Sequence, residues 1–292
     1  PSDLIIIAGR PSMGKCFGKG TKIVMYSGEI KPVEEIEVGD LLMGDDSTPR
    51  QVLSLARGQE EMYWVRQNKG LDYQVNKSHI LSLKRSRNEG THKNGDVLNI
   101  DLTDYLKTSA KFKTNYKGYK VAVDFPEQET PVCPYFLGLW LGDGRAESVD
   151  IATTDIEVID YLKSYAAQLN LHVTEKLATD KQGKPKCPMY SISSQSKNYQ
   201  QRQISLQKKL NDLGVLNNKH IPQSYLSNSR ENRLKLLAGL IDSDGHYAAK
   251  YKMYEITQKN FALAQQIKFL CDSLGFRTSL IQKQAAIKKI GY

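Results

Sequence analysis

The sequence predicts a mixed architecture: an all-β unit, then an α+β unit carrying a pseudo-twofold internal repeat, behind a short strand and loop. Three observations predict it. From Cys16 to about Asp124 the apolar residues fall in short β-type runs divided by turn residues, with no sustained helical period. Beyond residue 130, "YFLGLWLGDG" at 135–144 and "KLLAGLIDSDG" at 235–245 repeat one pattern of apolar and small residues closing on Asp-Gly. Charge divides along the same line. Residues 1–15 hold two basic and one acidic residue, 16–130 hold 17 of each, and 131–292 hold 22 basic and 14 acidic, or +1, 0 and +8 of the total +9. The expected domains are 1–15, 16–130 and 131–292.

A chain of 292 residues is long enough for two separate cores. No apolar run approaches the roughly 20 residues that span a bilayer, and "LIIIA" is too short for the core of an export signal. No membrane partner is expected, and the compartment is read as cytoplasm, or plastid stroma for a plastid-encoded chain. The cysteines at 16, 133, 187 and 271 form no C-x-x-C pair, which argues against zinc and a disulfide framework and for a reducing compartment. The chain opens at Pro1 and closes on "IKKIGY" within the second repeat, so it reads as a fragment.

The first element, "DLIIIAGRPSMGK", is an apolar strand feeding a G-x-x-x-x-G-K loop through Gly9, Gly14 and Lys15. The next residue of such a loop needs a hydroxyl for Mg²⁺; Cys16 offers a soft thiol poorly matched to that cation. Over its 15 residues this segment resembles the ATP-binding strand and loop of DnaB-type replicative DNA helicases. That resemblance implies ATP and Mg²⁺ as ligands of a host protein interrupted after Lys15.

The all-β unit follows, with strands expected in "TKIVMY", "QVLSLA", "MYWVRQ", "YQVN", "HILSL" and "YKVAV", and one weak helix, "LTDYLK", at 102–107. "CFGKGTKIVMYSGEIKPVEEIEVGDLLMG" resembles the N-terminal splicing block of inteins, the Hint fold, and "YQVNKSHILSL" resembles its second block, usually Thr-x-x-His. Here His79 is in place and Asn76 stands for the usual Thr. An intein beginning at Cys16 explains the broken loop. Its thiolate would attack the Lys15 carbonyl and convert an amide into a thioester. His79 would hydrogen-bond or protonate the departing nitrogen, with Asn76 supplying a polar contact. The resemblance also implies a closing segment ending in His-Asn before a host hydroxyl, Thr first and Ser second, that restores the loop.

The α+β unit carries matching positions beyond its two motifs. Ile151 corresponds to Ile256, Asp155 to Asn260, Leu162 to Ile267, Ala166 to Cys271 and Leu171 to Phe276, and Asp155 and Asn260 read as N-caps of equivalent helices. The expected unit is helix, strand hairpin, helix, strand. It resembles the LAGLIDADG homing endonucleases, in which Gly138 with Gly142, and Ala238 or Gly239 with Ser243, would let the motif helices pack closely. Asp143 and Asp244 would then meet at the base and hold Mg²⁺ for phosphodiester hydrolysis of a double-stranded DNA target. Asp242 reads as a structural acid. "NNKHIP" resembles the family's lysine block, so Lys219 would stabilise developing charge or polarise water, and "YAAKYKMYEITQK" would face the major groove. Two alternatives stand beside this reading: a helicase or ATPase fragment whose insert only splices, and a maturase-like domain that binds nucleic acid without cutting.

Overall fold

The computed structural model describes residues 2–8, 16–67, 72–180, 182–194 and 205–283, with backbone alone for 2–8. Gly9, Gly14 and Lys15 of the loop lie outside the described residues. The strand before them is present as β1 (Ser2–Ala8). It joins β2 (Cys16–Gly18) in an antiparallel sheet that later receives three more strands. Two hairpins follow, β3 (Lys22–Val24) with β4 (Ile30–Pro32) and β5 (Leu41–Met43) with β6 (Pro49–Gln51). Then come β7 (Ser54–Glu60), β8 (Met62–Val65) and β9 (Tyr73–Asn76), which complete the sheet in the order β7-β1-β2-β9-β8.

β10 (Ile80–Arg85) runs between β11 (Val97–Asp101) and β12 (Tyr116–Lys117), and its alternation turns Leu81, Leu83 and Arg85 inward. The expected helix at 102–107 is α1 (Leu102–Lys107), capped by Asp101, whose Oδ1 accepts from Thr103 N at 2.9 Å. α2 (Ala110–Asn115), capped by Ser109, departs from the all-β expectation. "YKVAV" at 119–123 forms no strand. It is held instead to the second half of the chain, where Val123 N donates to Ser273 O at 3.0 Å and Lys120 pairs with Asp272 at 2.5 Å.

In the second half α3 (Pro134–Asp143) leads to β13 (Ile151–Ala152), α4 (Ile156–Gln168), β14 (His172–Lys176) and β15 (Met189–Ser193), with sheet order β13-β15-β14. α5 (Leu206–Asp212) and α6 (Gln223–Leu226) lead into the second copy: α7 (Arg230–Asp244), the hairpin β16 (Gly245–Ala248) with β17 (Met253–Ile256), and α8 (Phe261–Ser273). No strand follows α8 among the described residues. The copies share their punctuation. Asp155 Oδ1 accepts from Glu157 N at 2.9 Å to cap α4, and Asn260 Oδ1 accepts from Ala262 N at 3.0 Å to cap α8. Both helices end on a left-handed residue, Asn170 (φ 53°) and Gly275 (φ 87°), with Leu171 N donating to Ala166 O and Phe276 N to Cys271 O. Leu162, Ala166, Ile267 and Cys271 are buried as matched, but Phe276 is 45% exposed where Leu171 packs on the core.

α3 and α7 pack backbone against backbone. A Cβ at Gly138 would fall 2.3 Å from Leu236 O, and one at Gly239 would fall 2.2 Å from Tyr135 O, so Gly239 stands at the crossing in preference to Ala238. Around this pair runs the main core, with Phe136, Leu137, Leu139, Trp140, Leu236 and Leu240 at 1% exposure or less. Among the described residues no helix is long and apolar enough to cross a membrane.

The connector between the halves is held by a buried arginine. Arg233 of α7 is 0% exposed; its Nε donates to Asn228 O at 2.8 Å, and its terminal nitrogens donate to Ser273 Oγ at 2.7 Å and Val123 O at 2.5 Å. The guanidinium lies 4.9 Å from the Phe125 ring and 3.7 Å from Asp124. Burial draws its pKa down to about 10, with Asp124 opposing.

Candidate functional site

The residues singled out by the sequence fall in two groups, one in each half. In the first, Cys16 opens β2 and is 2% exposed. Its neighbour Phe17 packs on both apolar clusters of this half, one built on Met25, Val33, Ile36 and Val52, the other on Val75, Leu81, Leu83 and Leu102. That anchors the cysteine between them. β2 pairs with β9 at Phe17 and Val75, and this antiparallel register carried one residue further sets Cys16 across from Asn76. His79 follows in the turn from β9 to β10, with its N–H donating to Asn76 O at 3.2 Å and its ring edge-on to Phe17 at 5.2 Å.

All three predicted residues are thus brought to one buried end of the sheet, where Asn76 and His79 are 2% and 5% exposed. Glu60, at the end of β7, joins them by accepting from Asn76 Nδ2 at 2.9 Å. Sequence reasoning passes over Glu60, because its approach depends on strand pairing and not on local spacing. Burial, and after it the charge of Glu60, push the Cys16 thiol up to about 11, so the thiol is protonated at neutral pH.

In the second half the base of the α3–α7 pair gathers Asp143, Asp244 and Lys219. A Cβ at Gly142 would lie 2.1 Å from Ser243 Oγ and 3.3 Å from the Asp244 carboxyl carbon, which shows how closely the two helix ends meet. Both carboxyls are held above their ordinary range, Asp143 by burial and Asp244 by burial and then by the charge of Asp143; Lys219 opposes both shifts. Lys219 in turn is lowered by burial against the pull of Asp244 and Asp143. Its ammonium donates to Leu141 O at 3.0 Å and Gly142 O at 2.9 Å, closing the C-terminus of α3, and stands 5.3 Å from the Trp140 ring. Asp242 accepts from Tyr135 Oη at 2.7 Å and ties the helices together away from this group.

Two half-buried carboxylates forced together by helix packing leave negative charge that one lysine only partly offsets. Hard oxygen donors of this kind suit a divalent cation that completes its shell with water and phosphate. No group of three or more His, Cys, Asp and Glu side chains gathers among the described residues. Beside them the β16–β17 hairpin exposes Tyr247, Tyr251, Met253 and Tyr254.

Comparison with known proteins finds a match within each half. Residues 16–117 match the family model described as Hom_end-associated Hint, and residues 220–292 match the one described as homing endonuclease. The chain is 26% identical over 299 aligned residues to the replicative DNA helicase DnaB of Mycobacterium intracellulare, covering 96% of this chain and 46% of that protein. It is 38% identical over 122 residues to the catalytic subunit of the V-type proton ATPase of Candida tropicalis, covering 38% of this chain and 11% of the relative. The chain therefore spans less than half the length of either relative.

Proposed function

We propose that this chain, an intein of Hint and homing endonuclease domains set in a DnaB-type host, splices through Cys16 and cuts DNA through the aspartates at the base of its paired helices. The observation that carries the splicing role is the buried Cys16 set across from Asn76, directly after a P-loop that lacks its hydroxyl. The Cys16 sulfur bonds to the carbonyl carbon of Lys15, the carbon–nitrogen bond breaks, and the thiol proton ends on the Cys16 nitrogen. Nothing is oxidised or reduced. His79 assists the departure of that nitrogen, and Asn76 holds the junction through a hydrogen bond.

For the endonuclease, Asp143 and Asp244 would hold Mg²⁺, which when bound supplies charge neutralisation and an acidified water at the scissile phosphate. Lys219, lowered by burial and supported by both neighbouring carboxylates, would stabilise charge developing on the phosphate. The DNA partner is a duplex target, met by the basic second half and the exposed hairpin. The flanking host is a helicase that would recover ATP and Mg²⁺ binding through Gly9, Gly14 and Lys15 once the insert leaves. The domain limits 1–15, 16–130 and 131–292 are retained in this proposal.

Two experiments test it. A strong thiol or hydroxylamine added to the purified chain should release residues 1–15, followed by intact mass, and Cys16→Ala should abolish the release. Equal release from that variant would remove Cys16 from the reaction. Asp143→Asn and Asp244→Asn should each lower Mg²⁺-dependent cleavage of a duplex carrying the uninterrupted host gene at least ~100-fold while leaving binding largely intact. Undiminished cutting by both variants would place the cation elsewhere.

A further inference from the structure

The amide of Asn76 is committed on one side and open on the other. Nδ2 donates to Glu60 Oε2 at 2.9 Å and to Ser78 Oγ at 2.7 Å. An ionised carboxylate can only accept, so the nitrogen must be the atom turned toward Glu60, and the orientation of the amide follows from chemistry. Both amide hydrogens are thereby used. Oδ1, on a side chain 2% exposed, accepts no hydrogen bond among the described residues, although a buried acceptor left unmet is costly. β2 and β9 pair at Phe17 and Val75, so Cys16 precedes and Asn76 follows the paired residues on facing strands.

Glu60 stands just before β8, the strand in which Met62 pairs with Asn76. We propose that Glu60 is a positioning residue of the acyl shift: it clamps Asn76 so that Oδ1 accepts a hydrogen bond from the Cys16 nitrogen as the Lys15–Cys16 amide becomes an amine. This rests on the reading of Cys16 as the nucleophile. As the sulfur–carbon bond forms and the carbon–nitrogen bond breaks, the nitrogen gains the former thiol hydrogen, and Oδ1 gains the donor it lacks. A hydroxyl at position 76 would rotate to donate or accept unaided. An amide presents whichever face its partners leave free, and here Glu60 and Ser78 leave the oxygen.

The test is thiol-induced release of residues 1–15 from the full chain, with thermal melts confirming that each variant is folded. Glu60→Ala should slow release about 10-fold, near the upper worth of a hydrogen bond. Glu60→Gln, which still accepts from Asn76, should release at or above the wild-type rate. In the Asn76→Ala background, Glu60→Ala should slow release no further, because its slowing acts through the missing amide, while loss of its charge beside Cys16 can only speed the reaction. Asn76→Asp sets two carboxylates face to face and should be slow, and adding Glu60→Gln should restore a donor between them and most of the rate. Wild-type release from Glu60→Ala, multiplying effects in the Ala double variant, or no recovery in the Asp–Gln pair would each overturn the proposal. Failure of the nucleophile reading is distinct, since Cys16→Ala would then release as fast as wild type, and the proposal would fall with it.

Discussion

A thiol pushed up to about 11 by burial and a neighbouring carboxylate is poorly ionised at rest. At pH 7 only about one in ten thousand such thiols is a thiolate. Release of residues 1–15 should therefore rise roughly tenfold per pH unit between pH 7 and 10, after subtraction of the Cys16→Ala baseline. A plateau near the ordinary thiol value would show an unperturbed Cys16. The stability sign agrees: a raised folded-state value means the group's contribution is full below its ordinary value of 9.0 and is lost as pH climbs toward about 11. At this scale the sequence points to Cys16, Asn76, His79, Asp143, Asp244 and Lys219 as candidates, because each sits at a fixed offset within a local motif. It does not point to Glu60 or Tyr135. Their partners, Asn76 and Asp242, are 16 and 107 residues away.

At the scale of elements, the two motif helices work as a single part. Because a Cβ at Gly239 would meet Tyr135 O at 2.2 Å and Leu139 N at 2.8 Å, both rigid backbone, Gly239→Ala can be fitted only by moving α7 away from α3. The cost should be about 3 kcal/mol, the upper end of overpacking effects. Denaturant unfolding checks the loss, and DNA cleavage should fall with it, since Asp143 and Asp244 ride on the ends of those helices. The internal repeat announced the matched caps Asp155 and Asn260 and most of the matched core positions. The alternation of "YKVAV" misled because no face of it is buried: Val121 stays exposed, and the segment is held by a backbone bond from Val123 to Ser273. α2 is six residues long, too short to show a helical period.

At the scale of the whole molecule, the halves are joined by more than a covalent connector. Arg233 places a fully buried cation where α7, the end of α8 and residues 123–125 meet. Arg233→Met keeps the apolar stem but strips donors from Asn228 O, Ser273 Oγ and Val123 O, and should cost about 3 kcal/mol. Hydrogen exchange would localise the effect: the Val123 amide, bonded to Ser273 O, should lose protection while the amides of β10 keep theirs.

β1 has a consequence for timing. The segment that chemistry would cut loose is an inner strand, registered against β7 from Ser2↔Glu60 to Ala8↔Ser54 on one side and against β2 on the other. Breaking the bond before Cys16 therefore leaves a nicked complex, with the detached peptide still zipped into the sheet and departing only as fast as two ladders fray. Its loss would bare the facing edges of β7 and β2, a poor exchange for the sheet. The cut protein should migrate as two species on a denaturing gel and as one in native gel filtration, separating only on mild denaturation. Immediate loss of the peptide under native conditions would show that the ladders do not hold it.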